Sequence, residues 1–385
     1  MPEIKNLKKA AKRIQKACKK KEKIILYGDS DLDGISATVI MKETIQTLGG
    51  NVAAVFFPDR ENDGYGITEK ALKQLTVFAP ALFISLDLGI GNIKEAEIAK
   101  KMGFELIIVD HHQLLDKTPK VSLIVDPKQK GDRYPFKEFA ATGLSFKLSE
   151  EILGKEISPS LRNSFLELTA VATIADMMPQ TDDNKILIEQ GLASLRNTLR
   201  PGLKVFYEIL GNDLSSAATL QKIISSLNIS EATDDWLNET YMLLTNPSLE
   251  DSKKIAQRLI QKAEAKQFKV KQIVQEVETR IKNKLNEKMI FEGDSFWPLV
   301  LAGSVASNLC NKYGKPVFIY KKGESESYGS VRTPKNINSV DAMSTCADLL
   351  ITFGGHPAAS GFRIKNENLL KFKEGLTKYF NNLKQ

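Results

Sequence analysis

Histidine is rare in this chain, three in 385 residues, and cysteine is equally rare. Cys18, Cys310 and Cys346 are widely separated and lie beside no motif. That excludes a disulfide framework and a cysteine-rich zinc site, and it suits a reducing, cytoplasmic compartment. Long apolar runs are absent as well. No stretch approaches the length needed to cross a bilayer, and the lysine-rich N-terminus lacks the apolar core of a signal peptide. No membrane partner is expected. Internal repeats and low-complexity segments are also lacking. What remains is the composition of a soluble globular protein, 42% hydrophobic and 26% charged, with a length that predicts two domains.

The charge is one-sided. A formal net charge of +7 with a pI near 9.0 favours a polyanionic partner. Part of the excess sits on one helical segment, at Lys8, Lys9, Lys12, Arg13, Lys16, Lys19, Lys20 and Lys23. A solvated helix face explains that segment equally well.

Two of the three histidines stand together in Val109-Asp110-His111-His112, directly after the β-branched run 104–108. A buried strand running into an acid and two imidazoles carries them to the carboxyl edge of a sheet, where open α/β sheets bind ligands. Strands over 24–27 and 82–86 end the same way, in Gly28-Asp29-Ser30-Asp31-Leu32-Asp33-Gly34 and at Asp87. A strand over 52–57 leads into Pro58-Asp59-Arg60 and Gly64-Tyr65-Gly66, and helices fill the intervals. Alternation at these lengths predicts an α/β fold with a doubly wound parallel sheet, its post-strand loops on one edge.

Beyond Asp126-Pro127 helical periodicity dominates to about residue 244. One helix there, 165–176, is apolar nearly all round, hence buried, and ends on the single acid Asp176. Residues 248–290 read as a long connecting helix between a catalytic domain, 1–247, and a smaller α/β domain, 291–385. The second domain is predicted to contain strands over 297–301 and 317–320 and helices over 305–313 and about 339–350. Gly329-Ser330-Val331-Arg332 lies between them, and a glycine-rich turn, Gly354-Gly355-His356, carries the third histidine.

Asp29, Asp31 and Asp33 alternate in what reads as an extended loop, so two of them can converge with Asp87, His111 and Asp176. So many carboxylates around one imidazole repel strongly unless cations hold them. Oxygen-rich ligation with one nitrogen suits Mn²⁺ or Mg²⁺ rather than zinc or copper. Two such ions about 3.5–4 Å apart stabilise both oxygens of a phosphoryl displacement. A calcium loop of EF-hand type is excluded, because its twelfth position counted from Asp29 is Ile40, where a glutamate is required.

In this order the motifs resemble the DHH phosphoesterase superfamily, and within it the RecJ-type single-strand-specific exonucleases. Residues 25–34, Pro58-Asp59-Arg60, Gly64-Tyr65-Gly66, Asp87 and Asp110-His111-His112 carry the likeness. So do Tyr134-Pro135-Phe136-Lys137-Glu138, Ala172-Thr173-Ile174-Ala175-Asp176 and Arg200-Pro201-Gly202-Leu203. The second domain resembles the DHH-associated (DHHA1) domain through Ala306-Ser307, Gly329-Ser330-Val331-Arg332 and Gly354-Gly355-His356. Nearly the whole chain from about Lys23 is covered.

The resemblance implies that Asp29, Asp31, Asp33, Asp87, His111 and Asp176 hold two Mn²⁺ or Mg²⁺ ions, with Asp87 as the bridge. His112 would face the scissile phosphate and Asp110 would orient an imidazole. Arg332 and His356 would clamp phosphates with help from Ser330, while Gly354, Gly355 and Arg60 complete the strand-binding set. It implies a monomeric exonuclease that degrades single-stranded DNA from 5′ to 3′ in repair and recombination, with a helicase or single-strand-binding protein as partner. Two readings compete: an enzyme of the same superfamily acting on short RNA or cyclic dinucleotides, and a non-catalytic nucleic-acid-binding scaffold. The complete ligand set speaks against the scaffold. RecJ-type chains usually continue into an oligonucleotide-binding barrel, and nothing here resembles one, so a short form is expected. The pyrophosphatase branch has a histidine where Tyr27 stands here.

Overall fold

The computed structural model describes residues 3–59, 64, 66–114, 117–211, 217–229 and 238–383, with the side chain of His356 outside the described set. The chain divides into two compact units, Met1–Ala263 and Glu264–Gln385. In the first, α1 (Leu7–Lys19) precedes β1 (Lys23–Gly28), α2 (Leu32–Thr47), β2 (Asn51–Phe56), α3 (Glu69–Leu75), β3 (Ala81–Leu86), α4 (Ile93–Lys101), β4 (Phe104–Val109) and β5 (Leu123–Val125). Among the described residues these strands form one parallel sheet in the order β2-β1-β3-β4-β5. The expected doubly wound sheet is present. Alternate strand residues face opposite sides. Ile24, Leu26, Leu82, Ile84 and Ile107 join the core beneath α1 and α2, while Ile25, Tyr27, Phe83, Leu106 and Ile108 join the one beneath α3 and α4. Both faces are apolar because both are covered. The winding reverses between β1 and β3, and in open α/β sheets the carboxyl ends at such a switch point are where ligands bind.

Among the described residues six more helices lie wholly within this unit: α5 (Ala141–Leu153), α6 (Pro159–Ala175), α7 (Asp182–Leu195), α8 (Pro201–Leu210), α9 (Ala217–Leu227) and α10 (Glu239–Thr245). One arginine fastens several of them. Arg200, 8% exposed, donates to both carboxylate oxygens of Glu43 on α2, each at 2.8 Å. It also donates to Ser164 Oγ on α6 at 3.0 Å and to the Leu244 carbonyl on α10 at 2.6 Å.

The unit boundary falls within a single helix, α11 (Leu249–Ile281). Ile255, Ala256 and Leu259 belong to the core of the first unit, and Val270, Ile273, Val277 and Ile281 to a core of the second. The second unit continues with β6 (Ile290–Asp294), α12 (Leu299–Tyr313), β7 (Val317–Lys322), β8 (Glu326–Arg332), α13 (Ser339–Ser344), β9 (Leu350–His356), β10 (Ala359–Lys365) and α14 (Leu369–Asn382). Its sheet has the order β6-β7-β8-β10-β9, with β6 and β7 parallel and the other pairs antiparallel.

Three expectations are corrected. The predicted strand over 297–301 is the approach to α12 and its first turn, because Pro298 fits a helix start and cannot donate to a ladder; the strand is β6 instead. Gly354 and Gly355 lie in β9 rather than in a turn, and the hairpin reverses at Pro357-Ala358. The helix expected to about residue 350 ends at Ser344. Strand β5, three residues long, went unforeseen because so short a run carries no periodicity.

Replacing Arg200 with Met would leave Glu43 and the Leu244 carbonyl without their donor. Because the Glu43 side chain is 24% exposed, the loss should be about 2–3 kcal/mol rather than the full cost of an unpaired buried charge. Urea unfolding measures it, and Glu43→Gln added to Arg200→Met should recover part of the loss. A loss within about 0.5 kcal/mol would mean that the pair fastens nothing.

Candidate metal centre

The sheet register decides where the acids go. Gly28 pairs with Leu86, Leu86 with Val109, and Val109 with Val125. The next residue on each of these strands is an aspartate: Asp29, Asp87, Asp110 and Asp126. The ladder runs on into that row, with Asp29 N donating to the Leu86 carbonyl at 3.1 Å, Asp87 N to Val109 at 2.9 Å and Asp110 N to Val125 at 3.2 Å. All four side chains are buried. Asp87 turns out of its strand with φ of 66°, a left-handed conformation that costs a non-glycine residue about 1–2 kcal/mol.

The acidic loop is shorter than expected. Helix α2 begins at Leu32, so Asp31 is its N-cap, with Oδ1 accepting from Asp33 N and Gly34 N at 3.1 Å each. A Cβ on Gly34 would lie 2.5 Å from the Asp29 carbonyl, so only glycine lets the helix start so close to β1. Asp33 lies on the first turn of α2 and reaches the N-terminus of α5. Its carboxylate accepts from Ala141 N at 2.7 Å and Thr142 N at 2.9 Å. The three aspartates are therefore not members of one extended loop: Asp29 follows β1, Asp31 caps α2 and Asp33 sits in its first turn.

His111 Nε2 sits among carboxylates, 3.1 Å from Asp87 Oδ1, 3.6 Å from Asp176 Oδ2 and 3.7 Å from Asp33 Oδ2. Burial pushes the His111 imidazole down to about 3, so it is neutral, as a ligand must be. His112 behaves oppositely. Burial lowers its basicity, but the Nδ1 contact to Asp110 Oδ1 at 2.8 Å and that carboxylate's charge outweigh it and push the pKa up to about 9. Asp110 stays well below the usual carboxylate range despite burial, since it accepts from His112, from His111 N at 2.8 Å and from Ile90 N at 3.0 Å. Asp110 therefore orients His112, not His111.

The remaining acids are strained electrostatically. Burial, with the charge of Asp31, raises Asp33 to about 6, although Thr142 opposes the shift. Burial and then Asp33 and Asp31 raise Asp176 to about 8. Asp176 is also the C-cap of α6, where the helix dipole disfavours an anion. Asp87 is raised well above the usual range by burial and by Asp33. Its Oδ1 is buried and accepts no hydrogen bond among the described residues. Among the described residues three groups bring their donor atoms within 4.8 Å of one another: Asp29, Asp31 and Asp87; Asp33, His111 and Asp176; and Asp87, His111 and His112. These acids and imidazoles are positioned for metal binding, and their oxygen-rich chemistry fits Mn²⁺ or Mg²⁺.

Two neighbours escaped the sequence reading. Asp126 accepts from Lys128 N at 2.7 Å, and burial raises it to about 7. Lys128 Nζ donates to the His111 carbonyl at 2.7 Å. The signal was the short β5, which had to be seen as a strand first.

In the second unit Ser330 and Arg332 share one face of β8. Gly303 on α12 comes close to both, since a Cβ there would lie 3.1 Å from Arg332 Nη2 and 3.7 Å from Ser330 Oγ. Arg332 pairs in register with Ala359, and Ala359 with His356. Gly354 and Gly355 pair with Gly361 and Ser360. Arg60, Tyr65 and the side chain of His356 lie outside the described residues.

Comparison with known proteins agrees with this geometry. The model of the DHH family, N-terminal domain, matches residues 23–173, and that of the DHHA1 domain matches residues 286–382. The single-stranded-DNA-specific exonuclease RecJ of Bacillus subtilis is 33% identical over 99% of this chain, which covers 48% of that protein. A crystal structure of exonuclease RecJ bound to manganese superposes with a TM-score of 0.82 at 26% identity, over 99% of this chain and 96% of that one. RecJ from Thermus thermophilus in complex with Mn²⁺ shares the fold, with a TM-score of 0.86 at 23% identity, over 99% of this chain and 55% of that one. The chain thus spans about half the length of these Bacillus and Thermus relatives. The chain thus carries a DHH domain ahead of a DHHA1 domain and is similar to RecJ proteins along nearly its whole length.

Proposed function

We propose that this protein is a Mn²⁺- or Mg²⁺-dependent phosphodiesterase that removes nucleotides from single-stranded DNA, working from 5′ to 3′, in repair and recombination. The observation that carries the reading is the set of overlapping donor groups in which Asp87 and His111 each occur twice. Shared donors of this kind suit two neighbouring cations. When bound, such ions neutralise charge on a phosphate and stabilise the attacking and leaving oxygens. Asp29, Asp31, Asp33, Asp87, His111 and Asp176 are the proposed ligands, with Asp87 between the two positions.

His112 has a different task. Protonated at neutral pH and with its side chain 42% exposed, it can donate to a phosphate oxygen or to the departing alkoxide. Asp110 holds the ring in place. Arg332, Ser330, His356, Gly354, Gly355 and Arg60 are the proposed strand-binding set. A helicase or single-strand-binding protein as partner, a monomeric state and a cytoplasmic location belong to the same proposal. The three cysteines, buried free thiols, favour a reducing compartment, and among the described residues no helix is long and apolar enough to cross a membrane.

Digestion of oligonucleotides labelled at either end tests the reading. With Mn²⁺, a 5′ label should be released as mononucleotide from the first turnover, while a 3′ label should give a shrinking ladder. The reverse pattern would refute the polarity. Cleavage confined to dinucleotides and trinucleotides would favour the short-RNA or cyclic-dinucleotide reading.

Asp87→Asn should lower kcat more than roughly 100-fold, beyond the loss expected of an outer-sphere group. The same substitution should raise the Tm of the metal-free protein. The sign follows from the raised carboxylates. Stability linked to their protonated forms is complete below the ordinary value of 3.8 and is lost as pH rises through about 8, where Asp176 ionises. Calorimetry of the metal-free wild type should therefore show Tm falling over that interval, less steeply in Asp87→Asn. A variant that kept ordinary Mn²⁺-dependent turnover would remove Asp87 from the centre.

His112→Ala should lower kcat roughly 100-fold while Mn²⁺ affinity stays within about tenfold. In the metal-free protein, NMR titration of His112 should show a midpoint near 9, falling toward the ordinary 6.5 in Asp110→Asn. Since the folded value is raised, the stability contributed by the pair is complete below 6.5 and lost as pH rises through about 9. Outright loss of metal binding in His112→Ala would exchange the roles of the two histidines.

A further inference from the structure

Helix α6 closes with a hydrogen-bond pattern that normally requires glycine. Met177 N donates to the Ile174 carbonyl at 3.1 Å, and Met178 N donates to the Thr173 carbonyl at 3.2 Å. In this paired closure the residue after the cap takes left-handed dihedrals, and glycine adopts them without strain. Here that residue is Met177, with φ of 56°. The side chain recovers nothing through burial, being 89% exposed. Single exposed apolar side chains are ordinary on a protein surface. One held in strained backbone immediately after Asp176 is not explained by the fold.

Its position supplies the explanation. Asp176 Oδ2 lies 3.6 Å from His111 Nε2, at the heart of the carboxylate–imidazole cluster. Consecutive Cα atoms are about 3.8 Å apart, so Met177 stands at the rim of that cluster. We propose that Met177 is the platform on which the base of the bound nucleotide rests while its phosphate lies at the metal centre. The proposal builds on the single-stranded-DNA reading and names one contact that reading leaves open.

Methionine suits the task. It is unbranched, and its thioether is polarisable, so it moulds to flat surfaces of different outline. Contact with the face of a base is tolerant of sequence, because every base has one. An enzyme that shortens a strand nucleotide by nucleotide must accept all four. A hydrogen-bonding side chain here would discriminate among bases, and a glycine would leave them unsupported. Exposure in the free protein is also expected, since the partner surface arrives with the strand.

The test uses the full chain with Mn²⁺ and compares Met177→Gly and Met177→Leu with the wild type. Substrates are 5′-labelled oligonucleotides in pairs, one normal and one with abasic residues at the 5′ end, together with bis(p-nitrophenyl) phosphate. Met177→Gly should melt at or about 2 °C above the wild type, because glycine relieves the left-handed strain. The ratio of kcat/KM for normal over abasic substrate should fall about fivefold, through KM, at the low end of what base-platform contacts contribute. Met177→Leu should keep the wild-type ratio. An unchanged ratio in Met177→Gly would overturn the platform, and a lower Tm would assign the residue to the fold instead. A wild type that hydrolyses bis(p-nitrophenyl) phosphate but leaves both oligonucleotides intact would refute the DNA reading, and the platform with it. Cleavage of the oligonucleotides with a ratio indifferent to the substitution would remove the platform alone.

Discussion

Carboxylates that stand side by side along one sheet edge repel one another, and the architecture of the first unit answers that repulsion. Asp29, Asp87, Asp110 and Asp126 follow four adjacent strands, and Asp31, Asp33 and Asp176 approach from helix ends. Several have a protein solution. Asp31 caps α2, Asp33 takes the first amides of α5, Asp110 has the His112 ring and the backbone amides of Ile90, His111 and His112, and Asp126 has the amide of Lys128. Asp87 and Asp176 have none that suffices, and burial with the neighbouring aspartates pushes both carboxyl groups toward the protonated form. A charge deficit concentrated at two acids beside a neutral imidazole is what divalent cations relieve.

Much of this was legible in the sequence for a simple reason. A parallel strand covered on both faces is a continuous apolar run, so the first acid after it is unmistakable; Asp29, Asp87 and Asp110 announce themselves in this way. Asp126 does not, because its strand is three residues long. The roles of Asp31 and Asp33 were hidden differently. Both looked like members of an extended loop, but one is a cap and the other bonds to a helix 108 residues away. Spacing along the chain carries no trace of such a contact. In the second unit, apolar residues around Pro298 imitated a strand, and paired glycines in β9 imitated a turn. Glycine marks close backbone approach as readily as reversal of direction.

Asp33 also ties the centre to the helical layer. The carboxylate that faces His111 is the one that satisfies the first amides of α5, and α5 packs in the same core as α2 and α6. The position of Asp176, at the end of α6, is set within that layer. Candidate donor groups from the sheet and from the helices therefore meet through packing rather than through a flexible loop, which favours the fixed geometry that two-ion chemistry needs.

Helix α11 has one more consequence, for synthesis on the ribosome. Every member of the metal centre, and every residue of the core that supports it, precedes residue 264 in the chain. Chains emerge from the N-terminus and fold by domain as they appear. The first part of α11, with Ile255 and Leu259, completes the earlier core before Val270 and Val277 are available to the later one. The nascent centre can thus take shape, and meet its cations, before the DHHA1 domain has been translated.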